Sequence, residues 1–326
     1  MPPAHPSPVP LGAWPTPVEP APRLATAIGL DPDDLWIKRD DLTGLGAGGN
    51  KVRKLEHLCG RALEDGATAL VTTGAAQSNH ARLTAAAAAR LGLDAVLVLH
   101  GAPGDARGNL LLDELLGARI VWAGDVDQDG LDRAARDVAA ELREAGAVPA
   151  VLPYGGSDAV GARGYVTAGE ELVRQLPGAV HLVAAVGSGG TMAGLVAALG
   201  TRTVLGVDTG ATTDAGVRVR RLLGGLLADD PGLAAAGDDP EGLRLRDDQV
   251  GEGYATLAPG ARRALVTAAR TSGLVLDPIY TARALAGLTA AVADGDVRPG
   301  ERTVLLHSGG VPGLFAHAAG ALLAQG

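Results

Sequence analysis

HLVAAVGSGGTMAGLVAAL, residues 181–199, decides the class of the fold. His181–Val186 is a short apolar run, with the length of a strand buried on both faces. Gly187-Ser188-Gly189-Gly190 breaks it, and Thr191–Leu199 resumes as a helical pattern. Successive backbone N–H groups at such a helix start bind an anion, aided by the helix dipole. The loop lacks the Lys-Ser/Thr ending of a P-loop and the spacing of GxGxxG. A monophosphate therefore suits it better than a nucleotide. A purely structural glycine turn is the competing reading.

The same rhythm runs outward from this segment. Strands are predicted at Leu35–Arg39, Thr68–Thr73, Ala95–Leu99, Ala118–Trp122, Val148–Leu152, Thr203–Asp208 and Thr303–His307. Helices are predicted at Lys51–Glu64, Asn79–Leu91, Arg107–Leu116, Leu131–Ala145, Gly164–Gln175, Ala261–Ser272 and Thr281–Ala293. Short apolar strands alternating with helices imply an α/β chain whose parallel sheets are covered on both faces. Two sheets are expected. The Pro-rich first residues read as extended, and the acidic stretch 212–248 as a helix pair with a surface loop.

The 326 residues allow two domains at about 100–200 residues each. A net charge of −9 and 2% aromatic content argue against nucleic-acid binding, which uses basic charge and stacking rings. One cysteine, Cys59, excludes an intrachain disulfide and a zinc-type cluster. It reads as a small buried side chain. MPPAHPSPVPLGAWPTP lacks the basic start and apolar core of a signal peptide. No apolar run reaches the roughly 18 residues of a membrane span. A cytoplasmic, membrane-free enzyme is the expectation.

Two further strand ends carry polar or glycine-rich loops, and a separate glycine-rich loop leads into a lysine. Gly48-Gly49-Asn50-Lys51 brings a lysine to a helix start directly after glycines that allow close approach to a ligand. Gly74–His80 (GAAQSNH) opens a helix with Ser78 and Asn79, for which simple helix capping is a serious competing role. His307-Ser308-Gly309-Gly310 follows the last strand. In parallel α/β sheets, ligands bind at the carboxyl ends of strands, so these loops are expected to share one pocket. The chain has only three lysines, Lys38, Lys51 and Lys54. Arginine stays protonated and is a poor nucleophile, so covalent carbonyl chemistry has three candidates.

LWIKRDDLTGLGAGGNKVRKLEHL (35–58) and TTGAAQSNHARLTAAAAARLGL (72–93) strongly resemble the D-cysteine desulfhydrase / aminocyclopropane-carboxylate deaminase family. GNLLLDELLGA, PYGGSDAVGARGYV, VGSGGTMAGL, LVLDPIYTARALAGL and LLHSGGVPGLF follow in the family's order, from about Leu11 to Phe315. The resemblance implies two open α/β/α sandwich domains of the tryptophan-synthase-β-like fold type II, and usually a homodimer. It implies pyridoxal 5'-phosphate as cofactor and a small amino acid as substrate. It places a small inserted domain at 55–164 within a large domain made of 1–54 and 165–326.

By the same resemblance, Lys51 matches the Schiff-base lysine and Lys54 a residue that helps hold the phosphate. Gly187, Ser188, Gly189, Gly190 and Thr191 match the phosphate loop. Asn79 matches the residue beside the pyridine hydroxyl, and Ser78 the residue near the reacting carbon. Ser78, Asn79 and His80 together would meet the substrate carboxylate. Tyr254 and Tyr280 match two tyrosines near substrate, against the simpler role of half-buried packing.

Family deaminases carry Glu where this chain has Thr281, and Gln where it has His80. Desulfhydrase-like members place a hydroxyl opposite the ring nitrogen, here Ser308. A hydroxyl leaves that nitrogen largely neutral, which suits β-elimination better than cyclopropane opening. D-Cysteine desulfhydrase activity, giving pyruvate, sulfide and ammonia, is thus expected. The alternatives are a lyase for L-cysteate or another β-substituted alanine, a β-replacement synthase, the deaminase, and a non-catalytic amino-acid sensor. Leu83, Asp158 and Asp208-Thr209-Gly210 depart from the family pattern. Asp158 is expected to add negative charge near substrate.

Overall fold

A computed structural model describes residues 7–317. Its strands form two sheets. The larger contains β1 (Val18–Pro20), β2 (Leu35–Lys38), β7 (His181–Val186), β8 (Val204–Asp208), β9 (Arg244–Arg246) and β10 (Thr303–Leu306), in the order β1-β2-β10-β7-β8-β9. The smaller contains β3 (Ala69–Ala75), β4 (Asp94–His100), β5 (Arg119–Trp122) and β6 (Pro149–Val151), in the order β5-β4-β3-β6. Every pairing is parallel except β1 with β2.

Helices connect these strands. They are α1 (Pro22–Ile28), α2 (Lys51–Glu64), α3 (Asn79–Leu91), α4 (Gly108–Leu115), α5 (Gln128–Glu144) and α6 (Ala159–Gln175). After them come α7 (Gly190–Leu199), α8 (Ala215–Asp229), α9 (Pro259–Ser272), α10 (Thr281–Asp294) and α11 (Val311–Ala316). The central strands are apolar on both faces because both faces are covered. On the larger sheet, Val183, Leu205 and Leu305 pack against Leu24, Leu265 and Leu285. The alternate residues Leu182, Val204 and Val304 face Leu172, Leu195 and Leu222. On the smaller sheet, Leu70, Leu97 and Leu99 pack with the buried alanines Ala85–Ala88 of α3. Small side chains let that helix lie close to the strands.

The strand order positions the site. In the smaller sheet the chain leaves β3 toward β4 and β5, then returns to β3's other side as β6. In the larger sheet β7 leads to β8 and β9, whereas β10 lies on β7's other side. Each reversal leaves a crevice beyond the carboxyl ends of two strands, where open α/β sheets bind ligands. The loops at these crevices are 74–78, 154–157, 187–190 and 307–310.

Three local expectations are corrected. The Pro-rich start is not only extended, since Val18–Pro20 adds an antiparallel edge strand and Pro22 opens a helix. Pro fits both places, because edge strands and first helical turns tolerate a missing N–H. The stretch 212–248 holds one helix, two short 3-10 turns and β9, rather than a helix pair. The sequence Arg244-Leu245-Arg246 hid that strand, since charged residues are typical of a sheet edge. Helix α6 starts at Ala159, before the expected Gly164, with Asp158 accepting from Gly161 N at 2.8 Å as its cap. Gly164 is a packing glycine, because a Cβ there would run into the backbone of Arg53. Among the described residues no helix is long and apolar enough to cross a membrane.

Candidate active site

The four loops line a cleft that is open to solvent on one side. Its wall includes Lys51, Ser78, Asn79, His80, Gly187, Ser188, Gly189 and Thr191, together with Tyr254, Tyr280 and Ser308. Of the residues singled out in the sequence, Lys54 and Gly190 lie just behind this wall. The chain segments that supply these groups are far apart in sequence, and the two crevices bring them to one place.

Lys51 opens α2. Asn50 Nδ2 donates to Thr191 Oγ1 at 3.0 Å, and Asn50 N donates to the Ser308 carbonyl at 2.9 Å. The start of α2 is thereby tied to both glycine-rich loops of the larger sheet. Gly49 and Gly309 touch backbone to backbone, since a Cβ at Gly309 would lie 2.7 Å from Gly49 Cα. Burial pushes the Lys51 ammonium down to about 8, opposed by the Asp277 charge. Near neutral pH a useful fraction of this amine is unprotonated, as a base or nucleophile requires.

Two residues further along α2, Arg53 anchors the helix from behind. It donates to Asp40 at 2.8 and 2.9 Å and to Glu171 at 3.0 and 3.1 Å. Tyr165 donates to Asp40 at 2.6 Å, and Lys38 pairs with Glu171. The cluster is buried, and every charge has an opposite partner. It accounts for Lys38, which is held away from the cleft.

Lys54 is fully buried, yet among the described residues its side chain donates only to the neutral oxygens of Ser157, at 2.9 Å, and Gly155, at 3.4 Å. Burial, reinforced by the nearby Lys51, holds it well below the ordinary lysine range. A Cβ at Gly190 would sit 2.9 Å from Lys54 Nζ, so this cation lies against the N-terminus of α7. A helix N-terminus, an unpaired lysine and a second lysine concentrate positive potential at one point. A phosphate dianion supplies the missing charge, so the residues present fit the cofactor implied by the sequence. Ser157 links the parts. Its hydroxyl is 2.7 Å from Ser188 Oγ and accepts from Gly190 N at 3.2 Å.

On the opposite wall, Ser78 is the N-cap of α3 and accepts from Ala81 N at 3.1 Å. The capping role is therefore real, and the same hydroxyl also lines the cleft. His80 is 2% exposed. Burial, with the Lys51 and Lys54 charges, holds its ring well below the usual histidine range. The Pro153 carbonyl opposes this weakly, but among the described residues neither ring nitrogen makes a well-formed hydrogen bond. His80 thus offers a neutral imidazole to the cleft.

Tyr254 and Tyr280 meet edge to face, with centroids 6.0 Å apart, and their hydroxyls hydrogen-bond each other. Burial raises both above the normal phenol range, so both stay protonated. Asp277 sets Tyr280 in place. Its carboxylate accepts from the backbone N–H groups of Ile279, Tyr280 and Thr281 at 3.0, 2.9 and 2.8 Å. The Thr281 hydroxyl also donates to it at 2.7 Å. The Thr281 hydroxyl is consequently committed to Asp277, whose carboxylate satisfies the N–H groups at the start of α10.

One expectation from the departures changes here, and a second departure finds its place. Asp158 does not point into the cleft, because it caps α6 and pairs with Arg61 at 2.9 Å. Leu83 is a buried core residue packed beside the Gly46–Gly49 turn. The sequence reading missed Tyr154, Ser157 and Asp277. Tyr154 lines the cleft at the end of β6, and its position directly before Gly155-Gly156 was the available signal.

A parallel α/β scaffold with a lysine in a strand-end cleft, beside an anion cradle, defines a class of phosphate-cofactor enzyme. Residues 9–309 match the pyridoxal-phosphate dependent enzyme family, and the chain belongs to it. A Pyrococcus abyssi protein with the provisional name 1-aminocyclopropane-1-carboxylate deaminase is 38% identical over 313 residues, covering 93% of this chain and 91% of the relative. D-Cysteine desulfhydrase of Klebsiella pneumoniae is 37% identical over 323 residues, covering 94% of each. The crystal structure of an ACC deaminase homologue superposes with a TM-score of 0.87 at 35% identity, covering 98% of this chain and 96% of that one. Pyridoxal phosphate is the cofactor of the family, and the fold is of type II.

Proposed function

We propose that the chain is a lyase that removes the β-substituent of a small amino acid, with D-cysteine as the leading substrate. One observation carries this reading. Among the described residues lining the cleft there is no Asp or Glu, whereas Ser308 is present. Asp277, the nearby buried carboxylate, is already engaged by four donors. A cofactor whose ring nitrogen faced Ser308 would meet a hydroxyl there, and that nitrogen would stay largely neutral. That suits loss of a good β-leaving group better than opening of a cyclopropane.

When bound, the cofactor supplies the electron sink that makes the substrate's α-proton removable. Lys51 would hold it, and Lys54, Ser188 and the Gly187–Thr191 backbone would hold its phosphate. The Lys51 amine, with its lowered pKa, would accept the α-proton, and Ser78 would assist. Ser78, Asn79 and His80 hold the substrate carboxylate. The protonated Tyr254–Tyr280 pair donates to the departing thiolate. D-Cysteine and water then give pyruvate, hydrogen sulfide and ammonia.

The division of the chain into 1–54 with 165–326, and 55–164, belongs to the same proposal. It is supported by the smaller sheet, whose strands all fall between Ala69 and Val151.

Incubation with D-cysteine, L-cysteate and 1-aminocyclopropane-1-carboxylate in turn tests the reading. Sulfide with pyruvate from D-cysteine is expected. Sulfite with pyruvate, or 2-oxobutyrate, as the faster product replaces the substrate assignment. A spectral change with none of the products identifies a sensor.

A further inference from the structure

Arg82 lies in the first turn of α3 and is fully buried. A guanidinium can only donate hydrogen bonds. Its Nε donates to Asn109 Oδ1 at 3.0 Å, and Nη2 to Asn79 Oδ1 at 3.3 Å. Its Nη1 donates to the Gly48 carbonyl at 2.9 Å and to that of Gly46. Asn109, fully buried on α4, must therefore turn its amide oxygen toward Arg82. Its Nδ2 then donates to the Gln77 carbonyl at 2.9 Å and to Asn79 Oδ1 at 3.0 Å. A carbonyl can only accept, so the Asn109 amide is fixed from both ends.

The consequence falls on Asn79. Its oxygen receives two donors, and its Nδ2 has no partner among the described residues, although Asn79 lines the cleft. A reversed amide would set that Nδ2 against two N–H groups. We infer that Arg82 and Asn109 are positioning residues that fix the polarity of Asn79, so that it presents a donor and never an acceptor to the cleft. A permanent cation dictates the direction of every bond in this relay. The ligand atom opposite Asn79 is then an oxygen carrying negative charge, and the phenolic oxygen of the cofactor has that chemistry. The same cation grips the Gly46–Gly48 turn that leads to Lys51, so donor and lysine are held by one side chain. Asp113 faces Arg82 without a hydrogen bond. Burial raises its carboxyl to about 8 against the opposing Arg82 charge, and neither of its oxygens has a hydrogen-bond partner among the described residues.

The inference rests on the cofactor placement proposed above, and the test separates the two. The protein reconstituted with pyridoxal phosphate is titrated with pH while its visible absorbance is followed. Asn109→Leu removes the donor to Asn79 and the acceptor for Arg82, freeing the Asn79 amide to reverse. The midpoint should rise by about one pH unit, because the anionic oxygen loses its donor and the neighbouring proton is held more tightly. Leu110→Ala removes packing from the same helix, and should lower the melting temperature without moving the midpoint. Should Asn109→Leu not fold, Asn109→Asp keeps the test. Its carboxylate still pairs with Arg82 but cannot donate to Asn79, so the midpoint should again rise. An unmoved midpoint in the Asn109 variant, or an equal rise in Leu110→Ala, overturns the relay. Wild-type protein with no visible absorbance after reconstitution overturns the cofactor placement, and the relay with it.

Discussion

Asn50 and Thr191, 141 residues apart, are joined by a hydrogen bond of 3.0 Å from Nδ2 to Oγ1. This contact locks the helix bearing Lys51 to the loop that cradles an anion. The proposed covalent and ionic anchors of the cofactor are therefore tied to each other through this contact.

Asn50→Ala removes that tie and leaves the Thr191 hydroxyl without it. The loss should cost about 1 kcal/mol of stability and weaken pyridoxal phosphate binding by roughly tenfold. Thermal melting and cofactor titration of the apoprotein measure both. Binding as tight as wild type would show that the spacing is set elsewhere.

Arg53→Met leaves Asp40 and Glu171 buried without their main cation. Breaking a buried ionic cluster by removing one partner costs about 3–5 kcal/mol. Urea unfolding should show a lower midpoint with an unchanged slope. A loss under about 1 kcal/mol would mean that Lys38 alone satisfies both carboxylates.

Lys54→Met separates two roles that structure alone couples. A buried, unpaired ammonium is costly to the empty protein, so the apoprotein should become as stable as wild type or more stable. A charge-assisted contact to phosphate is worth about 1.5–3 kcal/mol, so cofactor affinity should fall roughly tenfold to a hundredfold. Opposite signs for apoprotein stability and affinity are the expected pattern. Equal loss of both would make Lys54 a plain packing residue.

The lowered pKa of Lys51 gives the apoprotein a pH signature. The folded value of about 8 lies below the ordinary lysine value of 10.5, so the unfolded chain binds more protons between them. Stability from this group therefore rises with pH through that window, and its full penalty is present below about 8. Against Lys51→Met apoprotein, wild type should be less stable at neutral pH. The gap should close as pH climbs from about 8 toward 10.5. A gap that does not change over that range would contradict the burial of this amine.

Much of the scaffold was legible because the residues had little choice. HLVAAV and ALVTTG carry unbroken apolar runs, Leu182–Val186 and Ala69–Val71, with no alternation of polar residues, as a strand covered on both faces allows, and glycine turns follow them. The scarcity of lysine narrowed the candidates to three, and the glycines before Lys51 together with the family resemblance singled it out. Pairings between distant segments were not legible. Nothing local to Tyr154 or Ser157 reports that β6 returns beside β3, and so brings them to the cleft. Asp277 could be read as a capping residue before α10, but its closeness to Lys51 depends on the crossing of strands in the larger sheet. The strand Arg244–Arg246 escaped because edge position, rather than side-chain polarity, decides its pairing.

Borohydride reduction of the protein loaded with pyridoxal phosphate, followed by peptide mapping, tests the assignment of Lys51 most directly. The phosphopyridoxyl label is expected on the peptide containing Lys51, at that residue. Lys38 is occupied by Glu171 and Gln175 behind α2, and Lys54 by Ser157 behind the cleft wall. A label on either of them, or no label on a protein that has bound the cofactor, would contradict the assignment.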